Sequence, residues 1–194
     1  MRRIGVFGGS FSPVHRGHLK LAREAASRLG LDRVIFVPTA RTPLKDPRRL
    51  LPAELRVRLL REALKARKDF RVSRIEIERG GTSYTVDTLT ELKRRSGAAV
   101  VLYLLCGADA LARFGRWKSP ERILRLARVV AFSRPGSRLP SDRRFIRLPM
   151  GALDISSTRV RRQLRRGAVD RRLVPSGVAR LLARGAAHRR KKRS

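Results

Sequence analysis

The 194-residue chain is 42% hydrophobic and carries a single cysteine, so an internal disulfide framework is excluded and overall disorder is argued against. Its longest apolar run, residues 98–106, is about half of the roughly 20 residues that a membrane helix needs. The N-terminus reads straight into a strand pattern with no signal-peptide cleavage site, and a soluble cytoplasmic protein with no membrane partner is expected. The formal net charge is +33, and 40 of the 48 basic residues are arginine. They are spread through every predicted helix rather than gathered on one motif. This favours compositional bias over a dedicated nucleic-acid surface, although such a field speeds capture of anionic nucleotides at low salt.

Residues 4–7 form a short apolar run that stops at Gly8 and Gly9, the pattern of a buried strand ending in a turn. Ser10, Phe11, Ser12 and Pro13 make a loop, and a helix starts near His15 or Arg16 and runs to about Leu29, with Gly30 as its C-cap. Residues 33–37 read as a second buried strand. A long loop, 38–52, follows and contains Arg41, Lys45, Arg48 and Arg49; its length suggests a binding segment. Leu55, Leu59, Leu60 and Leu64 have helical spacing within residues 52–68. Residues 72–77, VSRIEI, alternate and read as a strand, Gly80 and Gly81 turn the chain, and 85–95 reads as a helix.

Residues 99–105 are the most apolar stretch and suit a central parallel strand that ends at Gly107-Ala108-Asp109. Ser119 and Pro120 open a helix to Leu126. Residues 129–132 read as a further strand closed by Arg134-Pro135-Gly136, and 145–148 is a candidate last short strand. Ile155 to Thr158 caps a helix over 159–166, and a final helix spans about 175–184. Alternating strands and helices imply an α/β fold: a doubly wound parallel sheet of about five strands with a small C-terminal helical part. A single domain, 1–185, is expected, its helical part at 155–185, with 186–194 as a frayed basic tail. Placing the first and fourth strands side by side at the switch point would bring the histidines and Asp109 around one cleft.

The chemistry concentrates in two places. His15 and His18 sit three apart at a helix start, so their imidazoles lie on one face, and Gly17 between them leaves room against the backbone. Backbone N–H groups and the helix dipole at such a start favour a phosphate chain. The string GGSFSPVHRGH, Gly8 to His18, resembles the signature of the nucleotidylyltransferase superfamily, a glycine pair followed by an aromatic, a proline and HxGH. Ile155 to Arg161, ISSTRVR, resembles the same superfamily's carboxyl-side signature, ISSTxxR.

Between the two, GTSYTVDT (81–88), GADAL (107–111), Trp117 and SRPG (133–136) look like the bacterial nicotinate-nucleotide adenylyltransferase family, over roughly residues 1–182. The resemblance implies a Rossmann-like fold that transfers AMP from ATP to nicotinate mononucleotide, releasing pyrophosphate, in NAD biosynthesis. Its implied ATP site comprises Gly8, Gly9, Ser10, Phe11, His15, His18, Gly107, Asp109, Arg134, Ser156, Ser157, Thr158 and Arg161. Of these, His15, His18 and Arg161 would carry catalysis. Tyr84 and Trp117 would flank the pyridine ring, with Lys45 and Thr85 alongside. Mg2+ would arrive with ATP, no protein metal site is expected, and homo-oligomerisation is left open. Two departures stand out: Ser12 where relatives commonly carry aspartate, and Pro43-Leu44-Lys45 where they often carry Pro-His-Lys. Phosphopantetheine or nicotinamide mononucleotide adenylyltransferase, and more remotely a basic nucleic-acid-binding protein, are the alternatives.

Overall fold

The computed structural model describes residues 1–41, 50–133, 142–149, 155–166 and 169–191. In chain order the elements are β1 (Arg2–Gly9), α1 (Arg16–Leu29), β2 (Arg33–Pro38), α2 (Ala53–Leu64), β3 (Phe70–Val72), α3 (Ile75–Arg79), α4 (Thr85–Ser96) and β4 (Val100–Gly107). Then come α5 (Ala108–Leu111), a 3-10 turn (Phe114–Arg116), α6 (Pro120–Leu126), β5 (Ala127–Phe132), β6 (Phe145–Leu148), α7 (Ser157–Arg165) and α8 (Ser176–Lys191).

All six strands are parallel in one sheet of order β3-β2-β1-β4-β5-β6, the order of a doubly wound nucleotide-binding sheet. Among the described residues the count is therefore six where about five were expected, because residues 145–148 pair in parallel with β5 from Val129–Phe145 to Phe132–Leu148. The first and fourth strands are neighbours, as the glycine turns at their ends implied.

Each sheet face has its own core, because strand side chains alternate. Phe7, Val34, Phe36, Tyr103, Leu105, Val130 and Phe132 pack with residues of α1, α2, α7 and α8. Ile4, Val6, Val37, Leu102, Leu104, Cys106, Val129 and Ala131 pack with residues of α3, α4 and α6 on the other face. Gly5 lies where a Cβ would come within 2.8 Å of Leu31 Cδ1, 3.2 Å of Leu105 Cδ1 and 3.3 Å of Val34 Cγ2, so the absence of a side chain lets the chain beyond α1 lie close to β1.

One expected element changes identity. The strand read at 72–77 ends at Val72, and Ile75–Arg79 is a helix. Ile75 and Glu76 are both buried, and the backbone closes on itself there, Glu78 N donating to Arg74 O at 2.8 Å and Gly80 N to Glu76 O at 3.0 Å, the four-residue spacing of a helix. The turn that follows uses Gly80 and Gly81 at φ 69° and 63°, where side-chain-bearing residues are strained. At the other end, α8 continues past Arg184 into the stretch read as a tail. Among the described residues, no helix is long and apolar enough to cross a membrane.

Candidate active site

The sheet opens at its carboxyl edge. Pairing between β1 and β4 ends at Val6–Leu104, whereas β1 stays paired with β2 as far as Gly9–Pro38, and β4 with β5 as far as Gly107–Phe132. The two central strands therefore part before their ends and leave a crevice at the switch point, where doubly wound sheets take their ligands. Gly8 and Gly107 border this opening, and a Cβ on either would meet nothing within 4 Å. Gly9 differs: its missing side chain is covered by the Phe11 ring at 3.3 Å.

The loop leaving β1 is held from several sides. Phe11 is buried, edge-on to Phe7 at 5.4 Å between ring centroids, and its backbone sits at φ 42° in the left-handed region. Phe11, expected to meet ATP, thus has its ring in the core, and only its backbone lies in the loop. Ser12 is fully buried, and its Oγ accepts from Leu51 N at 2.8 Å. The Ser12 hydroxyl is thus a tie between loops. Arg56, also buried, donates from Nη1 to Ser10 O at 3.0 Å and from Nε to Leu51 O at 2.9 Å.

His15 is the N-cap of α1 and His18 its third residue. The backbone N–H of His15 donates to His18 Nδ1 at 3.2 Å, so His18 takes the part that a glutamate plays in a capping box. Because Nδ1 accepts, the proton of the neutral ring sits on Nε2, which makes Nε2 the donor. The two imidazoles stack with centroids 3.6 Å apart, and Phe11 lies edge-on to His18 at 5.0 Å. A Cβ on Gly17 would stand 3.0 Å from His15 Nδ1 and 3.6 Å from Ile155 Cβ. The glycine makes room for His15 itself and for the second motif rather than for a ligand.

The two signatures meet directly. Ser157 Oγ donates to Pro13 O at 3.0 Å, and Arg161 Nη1 donates to Ser12 O at 2.6 Å. Arg16 N, at the start of α1, donates to Leu173 O at 2.8 Å, which fastens the same helix start to the segment between α7 and α8. The hydroxyls of the second motif have partners in the protein. Ser156 Oγ accepts from Arg159 N as the N-cap of α7, and Thr158 Oγ1 accepts from Arg161 Nη2 at 3.0 Å. What α7 offers a phosphate chain is therefore its N-terminal backbone and its arginine more than a row of hydroxyls.

The segment carrying Tyr84 and Thr85 is stitched to the end of β2. Ser83 N donates to Arg41 O at 2.7 Å, Ala40 N donates to Ser83 Oγ at 3.0 Å, and Thr39 N donates to Gly9 O at 3.0 Å. Tyr84 caps α4 and is 37% exposed, with the Lys118 ammonium 4.8 Å from its ring centroid; Lys118 is also paired with Asp87 at 3.0 Å. Trp117 is half-buried beside Phe114, 5.4 Å between ring centroids, with Nε1 buried and lacking a hydrogen-bond partner among the described residues. Asp109 is exposed in the first turn of α5, directly after Gly107. Lys45 and Arg134, with Leu44, lie outside the described residues.

Two buried charged residues, Arg56 and Glu76, are not marked by any sequence motif. Glu76 Oε1 accepts from Thr88 Oγ1 at 2.7 Å, and burial holds its carboxyl above the ordinary carboxylate range, opposed by hydrogen bonds from Thr88 and Ser83 and by the charges of Arg79 and Arg56. A signal exists for Arg56, which falls on the apolar stripe of α2, three and four residues before Leu59 and Leu60. In a chain this rich in arginine it does not stand out.

Comparison with known proteins agrees with this geometry. The cytidylyltransferase-like family profile matches residues 6–163. A protein of Salinispora arenicola named probable nicotinate-nucleotide adenylyltransferase is 42% identical over 183 residues, 91% of this chain and 96% of its own length. One of the same name from Acidothermus cellulolyticus is 40% identical over 97% of this chain and 95% of its own. Among solved structures, the Plasmodium falciparum nicotinic acid mononucleotide adenylyltransferase complexed with NaAD superposes with a TM-score of 0.77 at 15% identity, covering 95% of this chain and 96% of that one; at that identity the likeness speaks for the fold. With both signatures in contact across the switch-point crevice, the chain belongs to the nicotinate-nucleotide adenylyltransferase family of cytidylyltransferase-like nucleotidyltransferases.

Proposed function

We propose that this protein transfers the AMP moiety of ATP to nicotinate mononucleotide, giving nicotinate adenine dinucleotide and pyrophosphate, as a cytoplasmic step of NAD biosynthesis. The observation that carries this reading is the direct contact between the loop after β1 and the start of α7. It brings a stacked histidine pair, a helix N-terminus and a guanidinium to one edge of the crevice.

An oxygen of the nucleotide's 5′-phosphate attacks the α-phosphorus of ATP in line, a new P–O bond forms, and the bond to the β-phosphate breaks. A phosphate is already a nucleophile, so neither a covalent intermediate nor a strong base is needed, and catalysis rests on positioning and charge stabilisation. In this reading Nε2–H of His18 donates to the α-phosphate oxygen where charge develops, and His15 stands beside the triphosphate. Arg161 and the N-terminus of α7 receive the β- and γ-phosphates. Gly8 and Gly107 let the nucleotide lie against the strand ends, and Asp109 takes the ribose. Tyr84, Thr85 and Trp117 form the pyridine side. Magnesium enters on the ATP phosphates as part of the substrate; phosphate oxygens are the hard ligands it prefers.

The test is pyrophosphate release by the purified protein with Mg-ATP and, separately, nicotinate mononucleotide, nicotinamide mononucleotide and phosphopantetheine. A clear preference for the nicotinate substrate is expected. Preference for phosphopantetheine would keep the phosphate clamp and overturn the pyridine side, and silence with all three would overturn both.

A further inference from the structure

Among the described residues five polar side chains are buried: Ser12, His15, Arg56, Glu76 and Thr88. Ser12 and His15 belong to the first signature. Arg56, the one arginine of this set, has been given no role, and it is among the largest fully buried side chains of the protein. A buried guanidinium is costly unless its hydrogen bonds are met and its charge is answered. Here its bonds go to backbone carbonyls, and the nearby charge that favours its ionised form is that of Glu76.

What Arg56 holds is a strained turn. Phe11 is a non-glycine residue at φ 42°, and such a conformation persists only where the surroundings over-determine it. The carbonyls on either side are both gripped by arginines: Ser10 O by Arg56 Nη1 at 3.0 Å, and Ser12 O by Arg161 Nη1 at 2.6 Å. Arg56 Nε also holds Leu51 O, while Leu51 N donates to Ser12 Oγ. The contacts run in a closed ring, from Arg56 to Ser10, along the loop to Ser12, across to Leu51 and back to Arg56.

We infer that Arg56 is a positioning residue for adenylyl transfer: from beneath the site it fixes the Ser10–Ser12 turn in the shape that receives the triphosphate. The inference rests on the nucleotide-transfer reading above. An apolar side chain would fill the same volume in α2, yet it would not donate to the Ser10 and Leu51 carbonyls, which loosens the hold on the Phe11 backbone. ATP would then have to re-impose the turn on binding, and affinity falls when a site is not preorganised.

The experiment compares wild type, Arg56→Lys, Arg56→Met and the double variant Arg56→Met/Glu76→Gln. Each is unfolded in urea to establish a cooperative fold, titrated calorimetrically with the magnesium complex of α,β-methylene-ATP, and assayed in the steady state. Arg56→Lys keeps the charge but cannot reach both carbonyls. It is expected to fold, to bind the analogue about tenfold more weakly, as loss of a charge-assisted hydrogen bond implies, and to lose kcat, with a smaller change in KM for the pyridine nucleotide. The double variant removes the unanswered carboxylate and is expected to bind as weakly as Arg56→Met. A folded Arg56→Lys protein that binds and turns over as wild type does would overturn the inference alone. So would a double variant that regains wild-type binding, since the defect would then lie in the buried charge of Glu76. If Arg56→Met does not fold, Arg56→Lys decides. A wild-type protein that does not bind the analogue would overturn the nucleotide-transfer reading and this inference with it.

Discussion

Arg161 donates from one guanidinium nitrogen to the backbone carbonyl of Ser12 and from the other to Thr158 Oγ1, so a single side chain near the end of the chain fastens the turn near its beginning. The fork geometry matters, because the two acceptors are met by separate nitrogens of a planar guanidinium, whereas an ammonium offers one nitrogen on a flexible stem. Arg161→Lys is therefore expected to lower kcat/KM for ATP by about 10- to 100-fold, the cost of one to two charge-assisted hydrogen bonds. Steady-state kinetics with ATP as the varied substrate checks this. An unchanged kcat/KM would remove Arg161 from the nucleotide site.

His18 does two jobs that substitution can separate. Its Nδ1 caps the N–H of His15, and its Nε2–H is the proposed donor to the α-phosphate. His18→Ala loses both: about 1 kcal/mol of stability from the cap, and about 10²–10³ in kcat from the donor. His18→Glu places a capping-box residue at the same helix position that accepts but cannot donate, so it should regain the stability and not the turnover. Urea unfolding beside pyrophosphate release reads the two effects independently. Wild-type turnover in His18→Glu would exclude the donor role.

The histidine pair is legible in the amino-acid sequence itself, and the reason is local. A glycine-ended strand followed by HxGH and a helix places His15 and His18 by short-range geometry alone, and the second glycine-ended strand predicts the β1–β4 neighbourhood that the sheet shows. What local pattern cannot give is long-range. Alternation in VSRIEI is the same signal for a strand as for a short helix that buries Ile75 and Glu76 together, and only the packing under β2 and α4 decides. Ser156, Ser157 and Thr158 look like ligand hydroxyls in sequence because their partners, the N–H of Arg159, the carbonyl of Pro13 and the guanidinium of Arg161, are set by the fold. Ser12 looks like a lost charge for the same reason, since Leu51 comes to it from 39 residues away.

Trp117 stands between two roles. It rests on Phe114 at 5.4 Å between ring centroids, yet its buried indole N–H has no partner among the described residues. If it lines the proposed pyridine side, it should contribute binding more than chemistry. Trp117→Ala is expected to raise KM for the pyridine nucleotide several-fold more than KM for ATP, while Trp117→Phe keeps the packing and part of the stacking. Equal rises in both KM values would assign the ring to packing alone.

Gly5 tests the sheet rather than the site. A methyl group there would press on Leu31, Leu105 and Val34 at 2.8–3.3 Å, in a core with little room to yield. Gly5→Ala should lower stability by about 1–3 kcal/mol through overpacking, read as a shift of the urea midpoint at constant slope. Turnover measured well below the thermal midpoint should be nearly unchanged, because residue 5 pairs on its strand with Val34 and Tyr103, away from the parted strand ends. A stability equal to wild type would mean that α1 and the chain after it do not lie as close to β1 as this packing requires.

Cys106 gives the fold a dependence on alkaline pH. It lies in β4, buried, and burial pushes its thiol up from 9.0 to about 12. The folded protein therefore keeps the proton where the unfolded chain has lost it, so this contribution to stability is complete below pH 9 and declines as the pH rises toward 12. At pH 10.5 the loss amounts to about 2 kcal/mol relative to pH 8. Cys106→Ala lacks the thiol and keeps every other titrating group. Whatever gap in stability separates it from wild type at pH 8 should thus shift in the variant's favour by that amount at pH 10.5, measured by urea unfolding at both. A gap that does not move with pH would mean that the thiol ionises as easily in the folded strand as in the unfolded chain. Cys106 would then also react with a thiol reagent in the native protein, instead of only as the protein unfolds.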